Sequence, residues 1–223
     1  MRRLCFALLC LPGFAFAADL RPVPYDTLLP QPHRIETFDI LPSAPEPGHR
    51  IDQHWRTTGL TIGERLAGQT VHDTEGFDTL RGAPTQPLRA LPGAPGQTFA
   101  IAHHTGFGSN ALFPVGPKGA DIPEGRGEGS AALVFDTPQT AMGLRLHAEY
   151  PDPLGQRPAP GTALLTFHHA TGQTSELSLP LTHGVISLAW RSDTGIIALT
   201  VQNTDPGGIA LDDILYDVTA LSG

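Results

Sequence analysis

The residues that first suggest chemistry are acidic. Asp212 and Asp213 interrupt an apolar run, Gly-Ile-Ala-Leu-Asp-Asp-Ile-Leu-Tyr, at positions 208–216. In a strand, successive side chains point to opposite faces. Ile209, Leu211, Asp213 and Leu215 would share one face; Ala210, Asp212, Ile214 and Tyr216 would share the other. Both faces are apolar, so the run reads as a central strand, and one aspartate must lie among apolar neighbours whichever face meets the core. A buried carboxylate is costly unless it is paired, hydrogen-bonded or bound to a metal.

Histidine is the second candidate group. The chain has 10, including the doublets His103-His104 and His168-His169. Adjacent strand residues diverge, so neither doublet can chelate one ion through both rings. A zinc site would need one ring from each doublet together with His147. No H-E-x-x-H pattern supports it, and ordinary surface or half-buried histidines are the competing reading. Ser109 lies in Gly-Phe-Gly-Ser-Asn, which lacks the trailing glycine of a nucleophile elbow. Glu124 and Glu128 have the chemistry for glycoside cleavage, but in a Gly-rich loop they read as solvated charges. No catalytic residue is assigned. Trp55 and Phe107 fall in or near expected loops and are the candidate ligand-stacking platforms; the alternative is that each caps the end of the fold.

The N-terminus has Met-Arg-Arg, an apolar stretch to Phe16, and the small-x-small triplet Ala15-Phe16-Ala17. This three-part pattern predicts a signal peptide over residues 1–17 and a periplasmic or extracellular address. Both cysteines, Cys5 and Cys10, fall inside it, so the remaining chain would hold no disulfide and no thiolate site. Loss of Arg2 and Arg3 from the 14 basic residues would leave 12 against 22 acidic ones, a formal charge of −10. That balance argues against nucleic acid or an anionic membrane as partner. No further apolar stretch is long enough to span a bilayer. The only lysine is Lys118, while Ala, Gly, Pro and Arg abound, the habit of a GC-rich bacterium.

These residues must be positioned by strands. The 22 prolines and 25 glycines nearly exclude long helices. Residues 18–33 read as an extended Pro-rich lead-in and 34–223 as one domain. Strands are expected at 34–39, 60–63, 98–103, 130–135, 141–150, 162–169, 174–179, 185–190, 195–202 and 208–217. In the fifth, Met142, Leu144, Leu146, Ala148 and Tyr150 would face inward, with Gly143, Arg145, His147 and Glu149 outward to water. Residues 82–96, 116–129 and 150–161 read as loops, and a short helix is expected around 49–56. About ten short strands at this spacing predict an all-β, two-sheet antiparallel jelly-roll sandwich.

Three segments carry a resemblance. Ile-Glu-Thr-Phe-Asp at 35–39 followed by Gly-Leu-Thr-Ile at 59–62 resembles the opening of secreted bacterial jelly-roll modules. Gly-Ser-Ala-Ala-Leu-Val-Phe-Asp-Thr-Pro at 129–138 resembles their middle strand. Gly-Gly-Ile-Ala-Leu-Asp-Asp-Ile at 207–214 resembles their last strand and the end of MAM domains; the disulfides usual in MAM domains are missing. The resemblance implies a galactose-binding-like or lectin-like jelly roll that binds glycans and holds a structural calcium ion. First and last strands commonly lie close in a jelly roll, which would bring Glu36 and Asp39 to Asp212 and Asp213 as hard oxygen ligands for calcium. The expected function is a secreted non-catalytic binding module for a glycan or cell-envelope component. The alternatives are a secreted hydrolase with a His- or carboxylate-lined pocket, and a structural or assembly protein of the envelope.

Overall fold

A computed structural model describes residues 20–148 and 159–219. The expected leader, residues 1–17, lies outside the described residues, as do Glu149 and Tyr150. Among the described residues there is no α-helix, only 3-10 turns at Tyr25–Thr27 and Pro123–Gly125.

The chain begins with short strands: β1 (Arg21–Pro22), β2 (Arg34–Glu36), β3 (His49–Ile51), β4 (Trp55–Thr57), β5 (Leu60–Gly63) and β6 (Arg65–Leu66). A hairpin of β7 (Thr70–Thr74) and β8 (Phe77–Arg81) follows, then β9 (Ala90–Leu91), β10 (Phe99–His104) and β11 (Ser109–Pro114). The last five are β12 (Ala131–His147), β13 (Thr162–His169), β14 (Thr174–Pro180), β15 (Val185–Asn203) and β16 (Ala210–Tyr216).

These form an antiparallel β-sandwich. The first sheet runs β14-β13-β15-β12-β5-β4, using the end of β15 and the start of β12. In the second sheet, β1, the start of β15, the end of β12, β16, β11, β10 and β3 lie side by side, with β2 on the end of β16. β12 and β15 therefore belong to both sheets. The crossing is marked by register shifts between Val134 and Ala141. Pro138, which has no amide hydrogen for the ladder, sits there opposite Gly195. Gly195 has φ +76°, and a Cβ on it would come within 2.7 Å of the Pro138 ring.

The sequence suggested two pairs of strands where two long ones run, because bulges interrupt the pairing and leave each chain unbroken. The core lies between the sheets. Leu60, Leu133, Leu165, Phe167 and Val201 face Phe99, Ile101, Leu112, Leu144 and Leu211 across it.

Other expectations are corrected. Residues 49–56 form β3 and β4: Ile51 pairs with Phe99, and Trp55 with Ile62. The lead-in does not trail free. β1 pairs with β15, and Tyr25 is buried against Gly143 and Leu215. The outward face of β12 is not wet: His147 is buried and Arg145 half-buried. The segment 64–91 lies over the outer face of the first sheet, where Leu66 and Leu88 cover Ala132 and Ala198. No described helix is long and apolar enough to cross a membrane.

Candidate functional site

The covering segment creates the main cavity. The chain leaves β5 at Glu64 and returns through the β7–β8 hairpin. That hairpin turns at Glu75-Gly76, both with positive φ (57° and 92°). A two-residue turn of this kind matches the twist of its flanking strands. It sets Asp73 opposite Asp78 on one face. The start of β12 then fastens both sides. The Ser130 hydroxyl donates to the Glu64 carbonyl (2.9 Å), and the Ser130 amide donates to Asp78 Oδ2 (3.1 Å). The Asp78 amide in turn donates to the Glu128 carbonyl.

The result is a cavity of about 490 Å3 lined by Glu64, Arg65, Gln69, Thr70, Asp73, Asp78 and Gln97, with Val71, Ala94 and Val115 as its apolar wall. Arg65 donates through Nη1 to Glu64 Oε2 and to the Pro92 carbonyl. Glu64 Oε1 lies against Gly93; a Cβ there would sit 2.5 Å from it. Glu64 and Asp78 are each only 5% exposed. Each has one anchored oxygen, while the other has no protein donor among the described residues.

Burial sets the electrostatics. Desolvation pushes the Asp78 carboxyl up to about 7, against the Ser130 amide; the nearby charges of Glu64 and Asp73 add to the rise. Desolvation also raises Glu64, but Arg65 opposes it. Behind them, burial pushes Glu128 up to about 8, and its Oε2 is enclosed without a partner. Glu128 is therefore not the solvated loop charge expected; Glu124 is exposed. On the other face of the hairpin, a second cavity of about 350 Å3 is lined by Phe77, Thr79, Leu164 and Gln202, and also touches Asp78.

The residues singled out in the sequence lie elsewhere. Asp212 is fully buried in β16, where Ser109 Oγ donates to its Oδ2 at 2.6 Å. The next residue, Asn110, donates its amide to Asp39 Oδ1 at 2.9 Å. The structure thus brings Asp39 and Asp212 to neighbouring positions on β11. It does not bring the other two to them. Asp213, in a left-handed bulge (φ 47°), accepts from Arg145 Nη1 at 2.8 Å. Glu36 closes its own turn by accepting from the Phe38 amide. Among the described residues, no group of three or more His, Cys, Asp or Glu converges as metal ligands.

Trp55 is in β4 rather than a loop. Its ring packs on Phe38, and its Nε1 is enclosed without a partner. Phe107 is in the β10–β11 turn and packs against His104 and His147, whose rings lie 4.1 Å apart. His104 is buried and desolvation lowers its pKa; its Nδ1 accepts from the Gly106 amide. His168 belongs to the first sheet, away from this pair.

Glu64 and Asp78 were not among the sequence candidates. The available signal was the alternation of residues 70–81 around Glu75-Gly76, which marks a hairpin, but nothing local places Asp78 beside Glu64.

No protein-family model matches this chain, and no curated protein matches it either. Two solved structures are similar. Both are point mutants of the family 29 carbohydrate-binding module CBM29-2. The one complexed with mannohexaose is 9% identical, with 71% of this chain and 89% of that chain covered and a TM-score of 0.32. The other is 10% identical, with 73% and 99% covered and the same TM-score. A likeness this distant assigns neither family nor ligand.

Proposed function

We propose that this is a binding module for a saccharide, exported from the cell, with its ligand in the cavity between the β7–β8 hairpin and the start of β12. One observation supports this most. Three carboxylates (Glu64, Asp73 and Asp78), a guanidinium and two side-chain amides line a single open cavity. Such groups donate to and accept from vicinal hydroxyls, and a few convergent polar groups in a concave site are what fix a small ligand's orientation. An acidic, hydroxyl-seeking site suits a neutral sugar better than a phosphate or other anion.

The calcium ion expected from the sequence does not fit its four ligands as a set. Asp213 is taken by Arg145 and Glu36 by its own turn. The other two, Asp39 and Asp212, would need carbonyl and water oxygens to complete the six to eight that calcium takes. The binding reading stands without the ion.

The test is calorimetry of the full chain against a panel of neutral and acidic oligosaccharides, followed by Gln97→Ala. That side chain has only a long bond to the Pro117 carbonyl (3.4 Å). It should lose roughly tenfold in affinity, the worth of about one hydrogen bond, with an unchanged melting temperature. Binding unaffected by Gln97→Ala would place the ligand elsewhere.

A further inference from the structure

Two of these carboxylates, Glu64 and Asp78, are placed for more than holding a ligand. Both line one cavity from fixed positions, each with one oxygen that has no donor among the described residues: Asp78 is tethered by the Ser130 amide, Glu64 by Arg65. Their surroundings differ in the way acid–base pairs require. Glu64 has a guanidinium at its side. Asp78 has no cation acting on it among the described residues and faces the negative charges of Glu64 and Asp73. A proton shared between the two sites is therefore held more tightly by Asp78 than by Glu64.

We propose that the cavity cleaves the glycosidic bond of the saccharide it binds, with Asp78 as general acid and Glu64 as general base. This rests on the saccharide reading of the same cavity. In the step, Glu64 takes a proton from water as the water oxygen bonds to the anomeric carbon. The bond from that carbon to the leaving oxygen breaks, and the Asp78 proton passes to the leaving oxygen. One water is consumed, and a hydroxyl appears on each product. Glu64 then gives its proton to solvent and Asp78 regains one, which restores the starting state. Two carboxyl groups flanking the scissile bond are the working parts of most such hydrolyses.

The experiment uses the full chain. Every glycan that binds by calorimetry, together with a set of aryl glycosides, is incubated with the protein and the release of new reducing ends is measured. The wild type should turn over at least one bound glycan. Asp78→Asn and Glu64→Gln should each lower the rate at saturating glycan about 100-fold or more. Asn retains an acceptor for the Ser130 amide, so the fold is expected to persist; a thermal melt of both variants checks this. A third readout needs no variant: the wild-type rate should fall as pH rises above about 7, where Asp78 loses its proton. A bound glycan left intact overturns the catalytic inference and leaves binding standing. Turnover that survives either substitution, or that holds level to pH 9, overturns it too. If no glycan binds and none is cleaved, the catalytic inference and the binding reading both fall.

Discussion

Asp78 and Asp212 form a natural pair for comparison. Both are buried, and desolvation pushes both carboxyls up to about 7. Each has an oxygen fixed by a serine: the Ser130 amide for Asp78, the Ser109 hydroxyl for Asp212. They part at the other oxygen. Asp78 lines a cavity of about 490 Å3. The Oδ1 of Asp212 is sealed in the wall of the second sheet with no donor among the described residues. Burial alone sets how tightly a carboxyl keeps its proton; access decides whether anything can use it. The comparison separates a residue that burdens the fold from one that serves a site.

The largest consequence concerns these two together with Glu128. Folded, Asp78, Asp212 and Glu128 keep their protons up to about pH 7, 7 and 8. The unfolded chain releases them near pH 4. Between those limits the native state binds more protons than the unfolded state, so stability must fall as pH rises. A loss of several kcal/mol between pH 4 and pH 8 is expected, read from urea midpoints. A flat profile would mean that neither aspartate is as desolvated as its surroundings imply.

Next in size is the effect of removing each charge. Asp212→Asn and Asp78→Asn should each flatten that slope by a similar share, adding about 1–2 kcal/mol of stability at pH 8. Only Asp78→Asn should also change the chemistry in the cavity. If Asp212→Asn altered ligand turnover, the division between wall and site would be lost. Ser109→Ala removes the one hydroxyl that bonds Asp212 among the described residues. It should cost about 1 kcal/mol at pH 8 and less at pH 5, where the carboxyl is already neutral. Equal costs at both pH values would show that Ser109 matters for packing and not for the charge. The smallest effect expected is that of calcium. Millimolar calcium followed by chelator should shift the melting midpoint by less than about 1 °C. A reversible rise of several degrees would show that Asp39 and Asp212 recruit enough further oxygens to hold an ion.

Much of the sandwich was legible because apolar alternation is local. The strands at Leu60–Gly63 and Thr162–His169 have the bounds that alternation gives. The buried character of Asp212 was also legible, from its apolar neighbours on both faces. Local pattern failed where distant chain decides. His147 reads as an outward residue along β12, but the β10–β11 turn brings Phe107 and His104 over it. Glu128 reads as a loop charge, yet the β8 backbone binds its carbonyl and the surrounding chain encloses it. The cavity was invisible for the same reason. Glu64 and Asp78 come from separate segments and meet only because Ser130 bonds to both.

The pairing of the first strands with the last has a consequence for how the chain acquires its shape. β1 lies against β15, and β2 against β16. The earliest residues of the sandwich therefore have no partners until the latest arrive. Contacts so remote in sequence make folding slow. An N-terminal fragment ending before β15 would lack the partner of β12 in both sheets and leave Leu133 and Leu144 without their neighbours. The molecule should exist as a whole or as an open chain, with no stable half between them.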